Sequence, residues 1–573
     1  MNKQGIHKDF KLIWQLISPY WRSQEAFLAW GLLIFVVGLN LSIVYLNVQI
    51  NYWNNDLFNS IQNMNADKFY DLLPLFMIYA SFFVACVVLN NYFTGILSFR
   101  WRSWLTGEYV HKWLDNHAYY RIMLEREPTD NPDQRISQDL KEFASTTLDL
   151  FITVIEQGVT IFSFSIILWT LSGTLTFSLF SLGIVHIDGY MFWAAFIYAS
   201  LGTYIAHLVG KKLIPLNFEQ EKCEADFRYR LVRFREKREE IAFFDNAQFE
   251  DRVFHTSFLH IKNNFYRILK QAIYLNGWQN IYINASSIFP ILVMSPKFFA
   301  GAITLGTLMQ ISGAFGRVEN SLAIFLLKYQ TLASWRAVTK RLIGFEQDIA
   351  NVNLLNHQKN RNIKISYQHE GTKLCVSNLN VQTPNEGIIL ENVNFEVNKT
   401  EKILLKGTSG IGKSTLLRIL SGLWPFGGGD VILPKCSRLM IVPQKPYLPL
   451  GTLKDVITYS CKGNITDTQI KEALEACRLS HLMGYLQEES DWTNILSLGE
   501  QQRINIIRLI LCQPEWAIMD EPTASMDVET EKNIFDIINK YCPDLTLITV
   551  GHSPTLKGYH DRVIDVTQWS TKL

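Results

Sequence analysis

The sequence lacks cysteine pairs at metal or redox spacing. Its eight cysteines, Cys86, Cys223, Cys375, Cys436, Cys461, Cys477, Cys512 and Cys542, include no CxxC. That excludes zinc-ribbon and thioredoxin-like chemistry. Six of them lie beyond residue 370, in a stretch read below as cytosolic, and are expected to be reduced thiols. An excess of charge is also missing: 54 Lys and Arg against 53 Asp and Glu give +1. Nothing in that balance points to nucleic acid. The first 21 residues are polar, with no continuous apolar core and no small-residue cleavage site, so no cleavable signal peptide is expected. No internal repeat or low-complexity tract stands out. Apolar residues, by contrast, are abundant, at 48% of the chain, with aromatics at 13%. The 573 residues suit two to four domains, and the apolar excess sits in the first half.

That half contains long runs without Asp, Glu, Lys or Arg. They lie at 26–50, 72–99, 157–187, 189–210 and 271–296, and a sixth run at 301–327 is interrupted by Arg317 and Glu319. A helix needs about 20 apolar residues to span a bilayer, and core helices of soluble proteins are rarely uncharged for so long. Six spans are expected, within a transmembrane domain at 1–345. The first loop carries Asp56, Asp67 and Lys68, the third Asp188 and the fifth Lys297, whereas 100–142 and 211–262 are dense in Arg and Lys. Both termini and the two long loops are therefore expected in the cytoplasm. The loop "LNFEQEKCEADFRYRLVRFREKREEIAFF" has helical spacing. It reads as the fourth and fifth helices running on past the bilayer, toward a cytosolic partner domain or simply as a solvated charged arm.

Residues 346–372 are polar and read as a linker. From 373 to 573, short β-rich runs alternate with helical patterns, as in an α/β domain. Here "GTSGIGKS", Gly407, Thr408, Ser409, Gly410, Ile411, Gly412, Lys413 and Ser414, matches G-x-x-x-x-G-K-[ST] between the strand "KILLK" and the helix "STLLRILSGL". Backbone N–H groups there, through Thr415, are expected to cradle nucleotide phosphates. Lys413 supplies charge and the Ser414 hydroxyl a Mg²⁺ ligand.

"WAIMDE" is an apolar strand ending in Asp520, a Mg²⁺ ligand candidate, and Glu521, a general-base candidate. "LITVGHS" brings His552 to another strand tip within reach of a γ-phosphate, and "IVPQKPY" brings Gln444, a sensor of Mg²⁺ or of the attacking water. Taken singly, His552 and Gln444 would be ordinary structural residues; only the set promotes them. In "LSLGEQQR", Ser497 offers a hydroxyl and Gly499 permits close backbone approach. A helix opening near Glu500 turns its positive end toward an anion. Two copies facing head to tail would put this turn over nucleotide held by the other copy.

These motifs resemble those of an ABC-transporter nucleotide-binding domain, in order: Walker A, Q-loop at Gln444, signature "LSLGEQQR", Walker B "WAIMDE", D-loop "ASMD" (Ala524–Asp527) and H-switch at His552. "LRILSGLWPFGGG", "PQKPYLPLGTLKD" and "TLMQISGAFGRVENSLAIF" narrow the resemblance to bacterial SbmA/BacA-like ABC proteins and the peroxisomal D-subfamily. Glu239 and Glu240 fall where that group carries an EAA-like cytoplasmic motif. The chain departs from the pattern at Leu498 and Glu500, where many members have Gly and Gln. It also departs at Ser525-Met526, and at Thr383, near where an adenine-stacking aromatic is usual.

The resemblance implies a six-helix all-α transmembrane domain of type I exporter-like fold, followed by an α/β P-loop NTPase domain. It implies ATP and Mg²⁺ as cofactors and a homodimer with two composite ATP sites, in the lipid bilayer of a bacterial inner membrane. The implied function is ATP-driven import of hydrophilic or amphipathic solutes such as peptides or vitamin B12. Export or flipping of lipids or drugs, or movement of fatty acids or acyl-CoA, is the alternative. A nucleotide-gated protein that does not pump is a third reading, against which intact Glu521 and His552 argue. Arg317 and Glu319, with Gln310 and Asn320, suggest either a polar translocation path or an ion pair near the membrane surface.

Overall fold

The computed structural model describes residues 11–124, 131–179, 183–355, 363–368, 373–385, 387–434 and 439–571. The chain divides into two compact units, Met1–Val110 with Asn131–Phe345, and His111–Asp130 with Glu346–Leu573.

The first unit is built on long helices: α1 (Ala26–Gln62), α2 (Ala66–Leu114), α3 (Leu140–Ser172), α4 (Tyr190–Gly210), α5 (Leu213–Glu236), α6 (Ala247–Phe299), α7 (Leu305–Leu327) and α8 (Tyr329–Leu355). At 1.5 Å per residue, the 53-residue α6 is about 80 Å long, far more than a hydrocarbon core of about 30 Å. Its surplus pairs with α5 as a charged arm. There the Asn264 amide donates to Leu216 O at 2.8 Å and Gln220 Oε1 at 3.1 Å, and Phe227 and Phe234 pack on Phe254.

Among the described residues, four helices are long and apolar enough to cross a membrane: Ala26–Gln62, Ala66–Leu124, Pro132–Ser172 and Tyr190–Gly210. They present large apolar side chains outward, such as Phe27, Ile34, Phe82 and Phe162, which suits lipid. α6 and α7 are more polar. An exposed ladder runs along α6, where the side chains of Asn280, Asn284 and Ser287 donate to the backbone carbonyls of Asn276, Asn280 and Asn284 in turn.

The run at 157–187 is not one helix. α3 stops at Ser172, and a hairpin of β1 (Thr174–Leu179) and β2 (Gly183–Asp188) follows, in register from Thr174↔Asp188 to Leu179↔Gly183. Gly173 (φ 64°) and Gly189 (φ 62°) close its base, with Gly189 N–H donating to Gly173 O at 3.1 Å. Absence of charge made this stretch read as a span. Its β-branched alternation and bounding glycines turn the chain instead.

α7 is fixed against α1 by a ladder of asparagines four residues apart, hence on one helical face. Asn47 accepts from Arg317 (3.0 Å), Asn51 donates to Gln310 O (3.1 Å), and Asn55 donates to Gln310 Oε1 (2.5 Å). Asn59 accepts from Gly306 N–H (3.0 Å). The approach needs small residues: a Cβ at Gly306 would lie 2.1 Å from Asn55 O, and one at Gly313 3.0 Å from Asn51 Nδ2. Behind this seam, Ile311, Ala314, Phe315 and Val318 of α7 pack with Phe164, Leu168, Met191 and Met294.

The second unit holds two sheets. One is a four-stranded sheet ordered β3 (Ile363–Gln368), β7 (Gly427–Pro434), β4 (Lys373–Gln382), β5 (Ile388–Asn398). The other is an all-parallel sheet ordered β11 (Arg562–Asp565), β6 (Lys402–Lys406), β10 (Thr546–Val550), β9 (Trp516–Asp520), β8 (Leu439–Val442). Its strands β9 and β10 are near-continuous apolar runs, as a sheet covered on both faces requires. Helices α9 (Lys413–Leu420), α10 (Leu453–Thr458), α11 (Asp467–Ala476), α12 (Leu498–Cys512) and α13 (Val528–Tyr541) complete the unit. Of the stretch read as a linker, 346–355 continues α8 and 363–368 forms β3. Positions 356–362 and 369–372 lie outside the described residues.

The expectation of reduced thiols fails for one pair: Cys461 and Cys512 form a disulfide across 51 residues. Sequence spacing carried no sign of it, because the fold alone brings α10 and the end of α12 together. Cys86, Cys223, Cys375, Cys477 and Cys542 are free, and Cys436 lies outside the described residues.

Candidate nucleotide site

The carboxyl ends of four adjacent strands, β6, β10, β9 and β8, deliver the phosphate-directed residues, the position where ligands bind in sheets of this kind. After β6 the chain turns through Gly410 (φ 78°) and Gly412 (φ 110°). A Cβ on Gly412 would meet Ile389 Cγ2 at 2.6 Å, so only glycine fits. The turn leads directly into α9, which begins at Lys413. Ser414 and Thr415 thus sit in its first turn, where N–H groups have no helical partner.

Lys413 is buried. Its ammonium donates to Gly407 O (2.8 Å) and Thr408 O (3.0 Å) and lies 3.1 Å from His552 Nε2. Burial pushes its pKa below the ordinary lysine value, opposed by the charges of Glu521 and Asp520.

Glu521 follows β9 with a left-handed backbone (φ 44°), and its N–H continues the ladder to Val550 O at 3.0 Å. A non-glycine residue held there stores strain of the kind that collects at functional sites. The turn aims the carboxylate at two partners. Oε2 accepts from Gln444 Nε2 at 2.7 Å, and Oε1 lies 3.3 Å from His552 Nε2. That one imidazole nitrogen can accept from the Lys413 ammonium or donate to Glu521, not both at once. Lys413, His552, Glu521 and Gln444 are thus one continuous chain of contacts, with Asp520 at the strand end beside them.

Ser497, Gly499 and Glu500 stand apart from that chain of contacts. Ser497 caps α12 in a reciprocal box with Glu500: Ser497 N–H donates to Glu500 Oε2 (2.9 Å) and Ser497 Oγ accepts from Glu500 N–H (3.4 Å). The Glu500 carboxylate also meets His481 Nε2 at 3.1 Å. Burial raises its pKa, but the bonds from Ser497 prevail and hold it below the ordinary value. A Cβ on Gly499 would lie 3.6 Å from Ser525 O of the next turn.

Three residues not singled out from the sequence tie these parts together. Gln502 donates to Gln444 O (3.5 Å) and accepts from Ser525 N–H (3.2 Å). Glu531, buried on α13, accepts from the hydroxyls of Thr523 (2.9 Å), Ser553 (2.8 Å) and Thr555. It thereby joins the turn after Glu521 to the turn after His552. Arg508 reaches from α12 to Tyr447 O (2.9 Å) and Val456 O (2.7 and 3.0 Å). Gln502 was visible as part of "LSLGEQQR"; isolated Glu531 and Arg508 carry no local signal. The segment before residue 130 also belongs to this unit. Leu124 packs on the core under the phosphate loop, and Arg121 donates to Gly422 O at 3.3 Å.

Residues 12–299 match the family described as ABC transporter transmembrane region 2, and 390–524 match the ABC transporter family. The chain belongs to the ABC transporters. It is 34% identical over 554 residues to the inner membrane ABC transporter ATP-binding protein YddA of Escherichia coli, covering 96% of each chain. It is 29% identical over 627 residues to the chloroplastic ABC transporter D family member 2 of Arabidopsis thaliana (97% of this chain, 86% of that one). It is 26% identical over 508 residues to human ATP-binding cassette sub-family D member 3 (81% and 73%). Its fold is similar to that of a bacterial Atm1-family ABC exporter, with TM-score 0.69, 16% identity and coverage of 96% and 94%. The protein is thus a membrane ABC transporter of the half-transporter type, with an ATP-hydrolysing domain on the same chain. Among the described residues no group of three or more His, Cys, Asp or Glu forms a metal cage. Ser414 in the first turn of α9 and Asp520 at the end of β9 place side-chain oxygens at the strand ends, the kind of donor that would complete a Mg²⁺ shell shared with phosphate.

Proposed function

We propose that two copies of this chain form a homodimer that hydrolyses ATP at two composite sites and moves hydrophilic or amphipathic solutes inward across a bacterial inner membrane. Both termini then face the cytoplasm, α6 and α7 complete six spans per copy, and peptides and corrinoids such as vitamin B12 are the candidate cargo. The observation that carries the composite site is the separation of two half-sites on one domain. Lys413, His552, Glu521 and Gln444 form one chain of contacts at the strand ends, while Ser497, which caps α12, bonds Glu500 and takes no part in that chain.

ATP supplies the phosphoanhydride; Ser414, Gln444 and Asp520 would hold Mg²⁺, which would supply charge to neutralise the phosphates. The loop 407–412 and the first turn of α9 bind phosphate oxygens through N–H groups, and Lys413 adds charge. Glu521 Oε1 takes a proton from water, which Gln444 orients. His552 fixes the carboxylate and faces the γ-position. Ser497 and Gly499 of the second copy close the site through the hydroxyl and the N–H groups at the positive end of α12, with Glu500 contributing its backbone and orienting Ser497.

Relatives in the D subfamily support a second reading, movement of fatty acids or their CoA esters. Vesicle uptake of labelled B12, peptide and acyl-CoA separates the two. Glu521→Gln should lower ATP turnover about 10²–10⁴-fold, the usual worth of a positioned base, and abolish uptake with it. Unchanged flux in that variant would make the protein a non-pumping channel.

A further inference from the structure

Between α1, α6 and α7 lies a cavity of about 510 Å³, within the size range of small-molecule sites. Asn54 and Asn320 are among its polar lining, Phe58 and Met309 among its apolar lining. Glu319 lines it too, yet is only 4% exposed. Ser286 Oγ donates to it at a long 3.4 Å, and the Tyr282 hydroxyl stands beside it as a second neutral partner. Among the described residues no basic side chain forms an ion pair with it. Arg317, two positions away, is turned to Asn47 of α1.

On the six-span reading Glu319 lies at membrane depth, where a carboxylate buried without a counter-ion is costly and marks a pathway or ligand site. The surroundings say which ligand. Amide and hydroxyl oxygens accept hydrogen bonds, as the carboxylate does, while Phe58 and Met309 suit a short methylene stem. An anionic headgroup or CoA phosphate would meet Glu319 with like charge.

Resting on the transport reading above, we infer that this cavity is a solute subsite that selects a primary ammonium group on an aliphatic stem, with Glu319 as its counter-ion. The cargo class is then amine-bearing solutes, lysine-containing peptides or polyamines. An acyl-CoA cargo, anionic at its phosphates, offers no group for such a site.

The test uses the full-length protein in nanodiscs. Binding of trilysine and of spermidine is measured by calorimetry against their fully N-acetylated forms. The wild type should prefer the free amines about tenfold or more, the scale on which one buried charge pair discriminates. The tighter of the two names the source of the amine. Glu319→Gln should abolish the preference and Glu319→Asp retain part of it. Gly316→Val, at a position where a Cβ meets nothing within 4 Å, should fill the cavity and weaken amine binding with the charge intact. Equal affinity for amine and acetylated forms, or a preference that survives Glu319→Gln, overturns the inference. ATP-driven uptake is followed in parallel in proteoliposomes. Flux without amine preference removes the subsite and keeps transport; amine binding without flux removes transport and keeps the subsite.

Discussion

Replacing Arg508 by methionine tests how the signature helix is coupled to the Gln444 loop. The guanidinium is buried, accepted by Val456 O, Tyr447 O and Asn505 Oδ1, with the Tyr459 ring 5.7 Å away. Desolvation, partly opposed by Tyr459, pushes its pKa down to about 10, so it stays charged at neutral pH. Methionine matches the stem but leaves Val456 O, buried, and Tyr447 O, partly buried, without this donor, at about 1–3 kcal/mol each. The sum is about 2–6 kcal/mol. For a unit of this size about 1 kcal/mol shifts the midpoint by roughly 2–4 °C, so thermal unfolding of the nucleotide-binding unit should fall by at least about 4 °C. Because Tyr447 lies three residues after Gln444, ATP turnover should fall further than the unfolded fraction explains. Lysine, keeping charge but one donor nitrogen, should fall between. A shift under about 1 °C with normal turnover would refute the tether.

The remaining predictions concern pH and packing. His560 is held between Leu556 O (2.6 Å) and Thr549 Oγ1 (2.9 Å), and burial depresses its pKa below 6.5. A base depressed in the fold binds fewer protons than in the unfolded chain. Its contribution is therefore complete above pH 6.5 and declines as pH falls below that value. Denaturation midpoints should drop between pH 7.5 and 5.5 in the wild type and less in His560→Gln, and parallel profiles would contradict this. Gly306→Ala places a Cβ 2.1 Å from Asn55 O and should cost about 1–3 kcal/mol through overpacking, read as a lower melting point of the helical unit in detergent. An unchanged melting point would mean that the α1–α7 seam has slack.

Much of the fold was legible because local signals were contiguous. The glycines of 407–412 sit between an apolar strand and a helix, Asp520 ends an apolar strand, and Gln444 and His552 each come just after one. What the sequence hid depends on tertiary structure or on a pattern read at the wrong period. Lack of charge at 157–187 suggested a span, although glycines at 173 and 189 and period-two alternation specify a hairpin. Asn47, Asn51, Asn55 and Asn59 were in view at a spacing of four, yet that spacing alone does not reveal that their amides bind another helix. Glu531 and the Cys461–Cys512 pair are brought to their partners only by the folded domain.

The composite site is tested most directly by subunit complementation. Lys413→Ala and Ser497→Arg chains are each purified as homodimers and also co-expressed, with different tags to isolate the mixed dimer. In the mixed dimer one site combines both lesions and the other combines intact Lys413 with intact Ser497 of the opposite chain. The account predicts inactive homodimers and a mixed dimer recovering up to about half of wild-type ATP turnover, one of two symmetric sites. A mixed dimer as inactive as its parents would place both half-sites within one chain and contradict the account.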